Sequence, residues 1–107
     1  MFIQKKSITV TEGHAEKMVE RFAGEGIIEK QPGFIDMSVS KKKQRKGNEE
    51  VMILIRWESE SAWKAWETSE IHLAGHRENR GKPSPSFMLD SCQDLYYVLG
   101  QKEYTSP

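Results

Sequence analysis

All three tryptophans and two of the three histidines of this 107-residue chain fall between Trp57 and His76. A neutral imidazole is a common metal ligand, and an indole offers a broad apolar face. Trp66 and His76 stand ten residues apart. On one unbroken helix that spacing separates them by roughly 15 Å, too far to serve one small centre. A bend at Ser69 would let both face one cavity. His72 and His76 are four residues apart and can share a helical face, which raises a two-histidine zinc site. The glutamate that follows the first histidine in hydrolytic zinc helices is missing, Leu73 standing in its place, and no third ligand is apparent. Composition alone would make Trp66 a core residue and His76 a helix-surface one.

The elements that must hold these residues can be read from periodicity. Ile8 and Val10 alternate with Ser7, Thr9 and Thr11 in the period-2 pattern of a half-buried strand running from Phe2 to Thr11. The same alternation sends Lys6 inward with Ile8 and Val10. Thr11 is placed to cap a helix whose apolar residues Ala15, Met18, Val19, Phe22 and Ala23 recur at three- and four-residue steps, with Gly24 and Gly26 suited to its end. His14, at that helix start, reads as solvated. After Pro32-Gly33, residues Ile35, Met37 and Val39 alternate with Asp36, Ser38 and Ser40 in a second strand. It leads into the charged run Lys41 to Asn48, which reads as a solvated hairpin loop. Val51 to Ile55 is a continuous aliphatic run, as in a central strand covered on both faces.

Ser59 and Ser69 each precede a glutamate and a helix-like segment, so residues 59–68 and 69–79 read as two short helices broken near Ser69. Arg80 to Asp90, with Gly81, Pro83 and Pro85, reads as a surface loop. A final strand is expected from about Cys92 to Tyr104, Cys92 being a structural strand residue. The order predicts an α+β, ferredoxin-like split β-α-β fold with helices on one face of an antiparallel sheet. Such a sheet in so short a chain has a second face needing cover, which predicts a homodimer.

Bulk properties exclude several classes of partner. Sixteen basic and sixteen acidic residues leave no net charge, giving no reason to expect nucleic acid or an anionic membrane. The opening Met1 to Lys6 lacks the order of a secretion signal, and no apolar run approaches the roughly 20 residues needed to span a bilayer, which predicts a cytoplasmic protein. The single Cys92 cannot form an intrachain disulfide.

In Thr11-Glu12-Gly13 after the first strand, Glu20-Arg21-Phe22, Pro32-Gly33-Phe34, the Trp57 junction with a hydrophilic helix, and the Trp66 to His76 spacing, the chain resembles the IsdG-like heme-degrading monooxygenases. These belong to the larger group of antibiotic-biosynthesis-type monooxygenase domains. The resemblance runs over nearly the whole length and implies one such domain over 1–107, forming a dimeric α+β barrel with one heme site per subunit between sheet and helices. It assigns His76 as the proximal ligand of the heme iron and Trp66 as the ring that presses the tetrapyrrole out of plane. Phe22 and Arg21 are expected at the pocket. The strand asparagine of that family is replaced here by Lys6, whose ammonium could bond an oxygen ligand or a propionate. Arg77, Arg80 and Lys82 could also pair with propionates, although a charged, solvated loop is their default reading. Heme would be both substrate and oxygen-activating cofactor. The ring would open to a linear tetrapyrrole, releasing iron, with O2 and an unidentified electron donor and with no tightly bound flavin or nicotinamide. Two other readings are a cofactor-independent monooxygenase of the same group acting on a quinol-like aromatic, which needs no axial histidine, and a non-enzymatic heme-binding protein.

Overall fold

A computed structural model describes residues 1–79 and 85–107, with side chains for 1–77 and 85–107. Two strands carry the core. In β1, Phe2–Val10, the residues Phe2, Gln4, Ile8 and Val10 are buried on one face, and in β3, Glu49–Trp57, so are Val51, Ile53, Ile55 and Trp57. The two strands pair antiparallel with Gln4 opposite Ile55 and Lys6 opposite Ile53, so their buried faces coincide. β2, Phe34–Lys41, adds to the far side of β3, and β4, Met88–Tyr97, to the far side of β1. The sheet order is β2-β3-β1-β4, each neighbour antiparallel.

The helices supply the other half of the core. α1, Ala15–Phe22, buries Ala15 and Met18 against the β1 and β3 residues. α2, Glu60–Glu67, adds Ala62, Trp63 and Trp66 at its margin, and α3, Glu70–Asn79, follows directly. A short 3-10 turn, Ile28–Lys30, joins α1 to β2. This is the expected α+β ferredoxin-like arrangement. Among the described residues no helix is long and apolar enough to cross a membrane.

Five local expectations give way. β3 is central but buried on one face only: Met52, Leu54 and Arg56 point away from the helices and are half-exposed, because among the described residues no element covers that side. The last strand runs Met88–Tyr97, not Cys92 to Tyr104. Its pairing ends where β1 begins, Tyr97 lying opposite Phe2 and Val98 N–H donating to the Met1 carbonyl, and residues 98–107 find no strand to extend. Ile35 does not alternate inward with Met37 and Val39. The register of β2 on β3 shifts between Phe34 and Asp36, so Ile35 sits on a bulge and is exposed. Val19 and Ala23, on the expected apolar stripe of α1, are exposed as well.

The fifth concerns the start of α1, whose first N–H groups need acceptors. The Thr11 hydroxyl meets His14 Nδ1 at 2.9 Å and caps nothing. Glu49 of β3 serves instead: its Oε1 accepts the N–H of Gly13 and of Ala15, both at 3.0 Å, while Lys41 Nζ lies 3.6 Å from Oε2. The Ala15 bond, then the Lys41 charge and the Gly13 bond, hold the Glu49 carboxyl below its ordinary range against partial burial and the nearby Glu16. A carboxyl depressed in the folded state stabilises the fold above its unfolded value and loses that contribution as pH falls through the folded one. Glu49→Gln should therefore lower the melting temperature at pH 7, with the gap to the parent closing as acid protonates the parent's carboxyl. Thermal unfolding followed from pH 7 to pH 3 reads this out, and a gap that does not change with pH would contradict it.

Candidate active site

Between the buried face of the sheet and the helices lies a cavity of about 530 Å³, within the range of roughly 300–1,000 Å³ usual for small-molecule sites. Its floor is Gln4 and Lys6 of β1, Ile53 and Ile55 of β3 and Met37 of β2. The end of α1 gives Arg21 and Phe22, the segment 24–29 closes one side, and Trp66 and His72 stand over it from α2 and α3. Lys6, Arg21, Phe22 and Trp66, singled out from the sequence, thus converge on one space. His76 does not line it. It is exposed, one turn beyond His72, and reaches the cavity wall through that residue.

The break between α2 and α3 produces this convergence. The Ser69 hydroxyl donates to the Trp66 carbonyl at 2.8 Å and accepts the His72 N–H at 3.2 Å, ending one helix and capping the next. The His72 ring consequently packs edge-on against Trp66, with centroids 4.7 Å apart.

Two lining residues escaped the sequence reading. Gln4 is 3% exposed, and its amide is held at both ends: Nε2 donates to Gln93 Oε1 at 3.0 Å, and Trp57 Nε1 donates to Gln4 Oε1 at 3.3 Å. The strand alternation that turned Lys6 inward also applied to Gln4. His72 is half-buried, with Nε2 at 2.7 Å from Glu67 Oε2 and 2.9 Å from His76 Nε2. Burial pushes its pKa below the ordinary histidine value against the pull of Glu67, and the neighbouring His76 and Lys6 charges push the same way. Its only sequence signal was the four-residue step to His76, weighed as a zinc pair. Among the described residues no group of three or more His, Cys, Asp or Glu is arranged to hold a metal ion.

Lys6 is half-buried at the wall, and among the described residues no carboxylate pairs with it. The site thus sets apolar walls against two cations, Lys6 and Arg21, while the two carboxylates of its lining are engaged by other groups, Glu25 by Lys30 at 3.9 Å and Glu29 by the Gly26 N–H at 2.6 Å; the combination suits a flat apolar ligand with anionic edges. The other cation candidates stand apart from it. Arg77 is exposed and pairs with Glu70 at 3.3 Å, while Arg80 and Lys82 lie outside the described residues. His14 is not solvated as expected: its ring stacks on Phe87 at 5.0 Å. Cys92 is an exposed residue of β4.

The family model for antibiotic biosynthesis monooxygenase matches residues 1–78 of the chain. The heme-degrading monooxygenase HmoA of Bacillus subtilis is 50% identical over 105 residues, covering 98% of this chain and 97% of that protein. The staphylobilin-producing heme oxygenase of Staphylococcus haemolyticus is 38% identical over 84 residues, covering 78% and 80%. A crystal structure of a Bacillus cereus protein of the antibiotic biosynthesis monooxygenase type superposes with a TM-score of 0.86 at 52% identity, covering 99% of this chain and 98% of that one.

What sets the height of Trp66 over the cavity is a close approach beneath α2. Gly33 has φ +85°, and a Cβ added there would come within 2.4 Å of the Ala62 Cβ, one turn before Trp66. Gly13 has φ +87° with nothing within 4 Å of an added Cβ. Both substitutions meet left-handed strain of roughly 1–2 kcal/mol, but only Gly33→Ala adds an overpacking cost of about 1–3 kcal/mol. Denaturant unfolding should show Gly33→Ala as the more destabilised, with an altered tryptophan emission. Equal losses for Gly13→Ala and Gly33→Ala would mean that α2 does not rest on Gly33.

Proposed function

The chain belongs to the antibiotic biosynthesis monooxygenase family, and from that premise we propose that it is a monooxygenase that degrades heme, holding it in the cavity beneath Trp66. The observation that carries this reading is the make-up of that cavity: apolar walls of Phe22, Ile53, Ile55 and Trp66, cations at Lys6 and Arg21, and an imidazole pair at the rim. A porphyrin asks for those three things, since its ring is flat and apolar, its propionates are anionic, and its iron takes a neutral imidazole as axial ligand. The names of the Bacillus subtilis and Staphylococcus haemolyticus relatives point to the same substrate.

In this reading His76 is the proximal ligand. It lies on the last turn of α3, and a turn of its side chain away from His72 frees Nε2 for iron. Trp66 lies over the ring and presses it out of plane, Phe22 packs its edge, and Arg21 takes a propionate. Bound heme supplies the oxygen chemistry, with O2 and an external electron donor. The chain's own residues orient the ring, exclude water and supply a donor beside the reacting oxygen. Lys6 is that donor. Its ammonium is half-buried without a carboxylate, and an unpartnered cation at a cavity wall is costly until a ligand offers it an acceptor.

The chain is also proposed to act as a homodimer. Ile3, Met52, Leu54 and Tyr96 lie on the sheet face that, among the described residues, no helix covers, and Leu89, Leu95 and Tyr97 of β4 are exposed. A second copy would cover such a surface. Light scattering should give two chains per particle, and a monomer that persists at high concentration would rule the dimer out.

Hemin titration of the parent, His76→Ala, Lys6→Ala and Lys6→Asn, each followed by ascorbate, tests the reading as a set. The parent should bind hemin with a histidine-ligated spectrum and lose its Soret band on reduction. His76→Ala should lose that spectrum while keeping its circular dichroism. Lys6→Ala should bind hemin about as well as the parent but open the ring on the order of a hundredfold more slowly, the usual cost of one lost donor to developing negative charge. Lys6→Asn should retain activity. A parent that ignores hemin, or that oxidises an aromatic quinol without it, would overturn the proposal.

A further inference from the structure

Gln4 is a buried polar residue on the cavity floor, and its neighbours settle which way its amide faces. An indole N–H only donates, so the Gln4 atom that meets Trp57 Nε1 at 3.3 Å must be the oxygen, Oε1. The nitrogen therefore lies on the other side, where Nε2 donates to Gln93 Oε1 at 3.0 Å. An amide nitrogen carries two hydrogens. The bond to Gln93 uses one, and among the described residues no group accepts the second. Gln4 is only 3% exposed, and the space it borders is the cavity. An occupant of that cavity is the source of an acceptor. The Trp57 indole accounts for an acceptor at position 4 and leaves this second hydrogen without a structural use.

We propose that Gln4 is a second hydrogen-bond donor of the site, giving the free hydrogen of its Nε2 to the O2 that reacts at the open face of the heme substrate. The inference rests on the reading of the cavity as the heme site and deepens it. A ring held by His76 from the helix side turns its other face to the sheet, and the polar side chains of that floor are Gln4 and Lys6. Strand alternation puts the two on one face, about 7 Å apart along β1, so both can address one ring. They supply different things. The Lys6 ammonium brings charge on a long, flexible stem and is half-buried. The Gln4 amide is neutral and is held at both ends by Trp57 and Gln93, so it is oriented before any ligand arrives. A donor set in place in advance, on a buried floor, costs no reorganisation when negative charge develops on the reacting oxygen.

A donor that points at bound carbon monoxide lowers its C–O stretch, so infrared spectra of the reduced hemin complex under carbon monoxide read the contact without turnover. The stretch should lie higher in Gln4→Leu than in the parent. It should rise again when Gln4→Leu is added to Lys6→Ala, which separates the amide from the ammonium. Hemin affinity should stay near the parent's, while ring opening with ascorbate slows about a hundredfold. If Gln4 only ties the strands together, Gln4→Leu lowers the melting temperature but moves neither the stretch nor the rate, and that result would overturn the proposal. Should Gln4→Leu fail to fold because it orphans the Trp57 N–H, the same substitution in a Trp57→Phe background removes both ends of that bond and is compared with Trp57→Phe alone. A parent that binds no hemin overturns the heme reading and this proposal with it, and is seen before any variant is made. A parent that binds hemin, with a stretch unmoved by Gln4→Leu, overturns this proposal alone.

Discussion

The Ser69 hydroxyl is the interaction on which the site's geometry depends. It donates to the last turn of α2 and accepts from the first turn of α3, ending one helix and starting the next within a single residue. Each bond is worth only about 1 kcal/mol, yet together they fix the angle between two helices that would otherwise run on as one. A continuous helix would carry Trp66 and His76 roughly 15 Å apart along its axis. The break instead brings the rings of Trp66 and His72 to 4.7 Å, and the four-residue step along α3 sets the His76 ring 4.5 Å from that of His72.

Beneath the helices the sheet imposes the second constraint. It buries one face, and the residues on that face are almost all aliphatic or aromatic. Gln4 is the polar residue buried there among the described residues, with its amide bonded to Gln93 and to the Trp57 indole. Those bonds tie β4 to β1 and β1 to β3 below the cavity, which stiffens the floor beside Lys6, two residues on and half-buried. The opposite face is left half-exposed. Folding therefore draws on one set of alternate residues of these two strands, and the proposed pairing of two copies would draw on the other.

Much of this was legible because it rests on short-range rules. The alternation of Ile8 and Val10 was enough to turn Lys6 inward, and a serine before a glutamate was enough to mark both helix starts at Ser59 and Ser69. Features that depend on distant partners were not legible. The cap of α1 comes from Glu49, thirty-four residues beyond Ala15, and Thr11, the local candidate, was the wrong choice. The end of β4 is set by where β1 begins, so the strand-like sequence at Leu99 and Tyr104 has no strand to pair with. The bulge at Ile35 is a mismatch between two strands and belongs to neither alone. His72 was passed over because its spacing to His76 suggested zinc, whereas its actual partners are Glu67 and the cavity.

That position also sets function against folding. His72 is half-buried, its pKa is lowered by burial and by the Lys6 and His76 charges, and Lys6 beside it has no carboxylate to pair with. An aliphatic residue at 72 would pack against Trp66 without those costs, and a neutral one at 6 would not repel its neighbour. Ordinary core packing has no use for two nitrogenous groups that disfavour each other's charge. Local conflicts of this kind concentrate where a ligand completes the arrangement. On the proposed reading, an anionic, flat ligand would satisfy Lys6 and draw His76 away from His72, relieving both conflicts at once, so that the fold tolerates an arrangement which the ligand would improve.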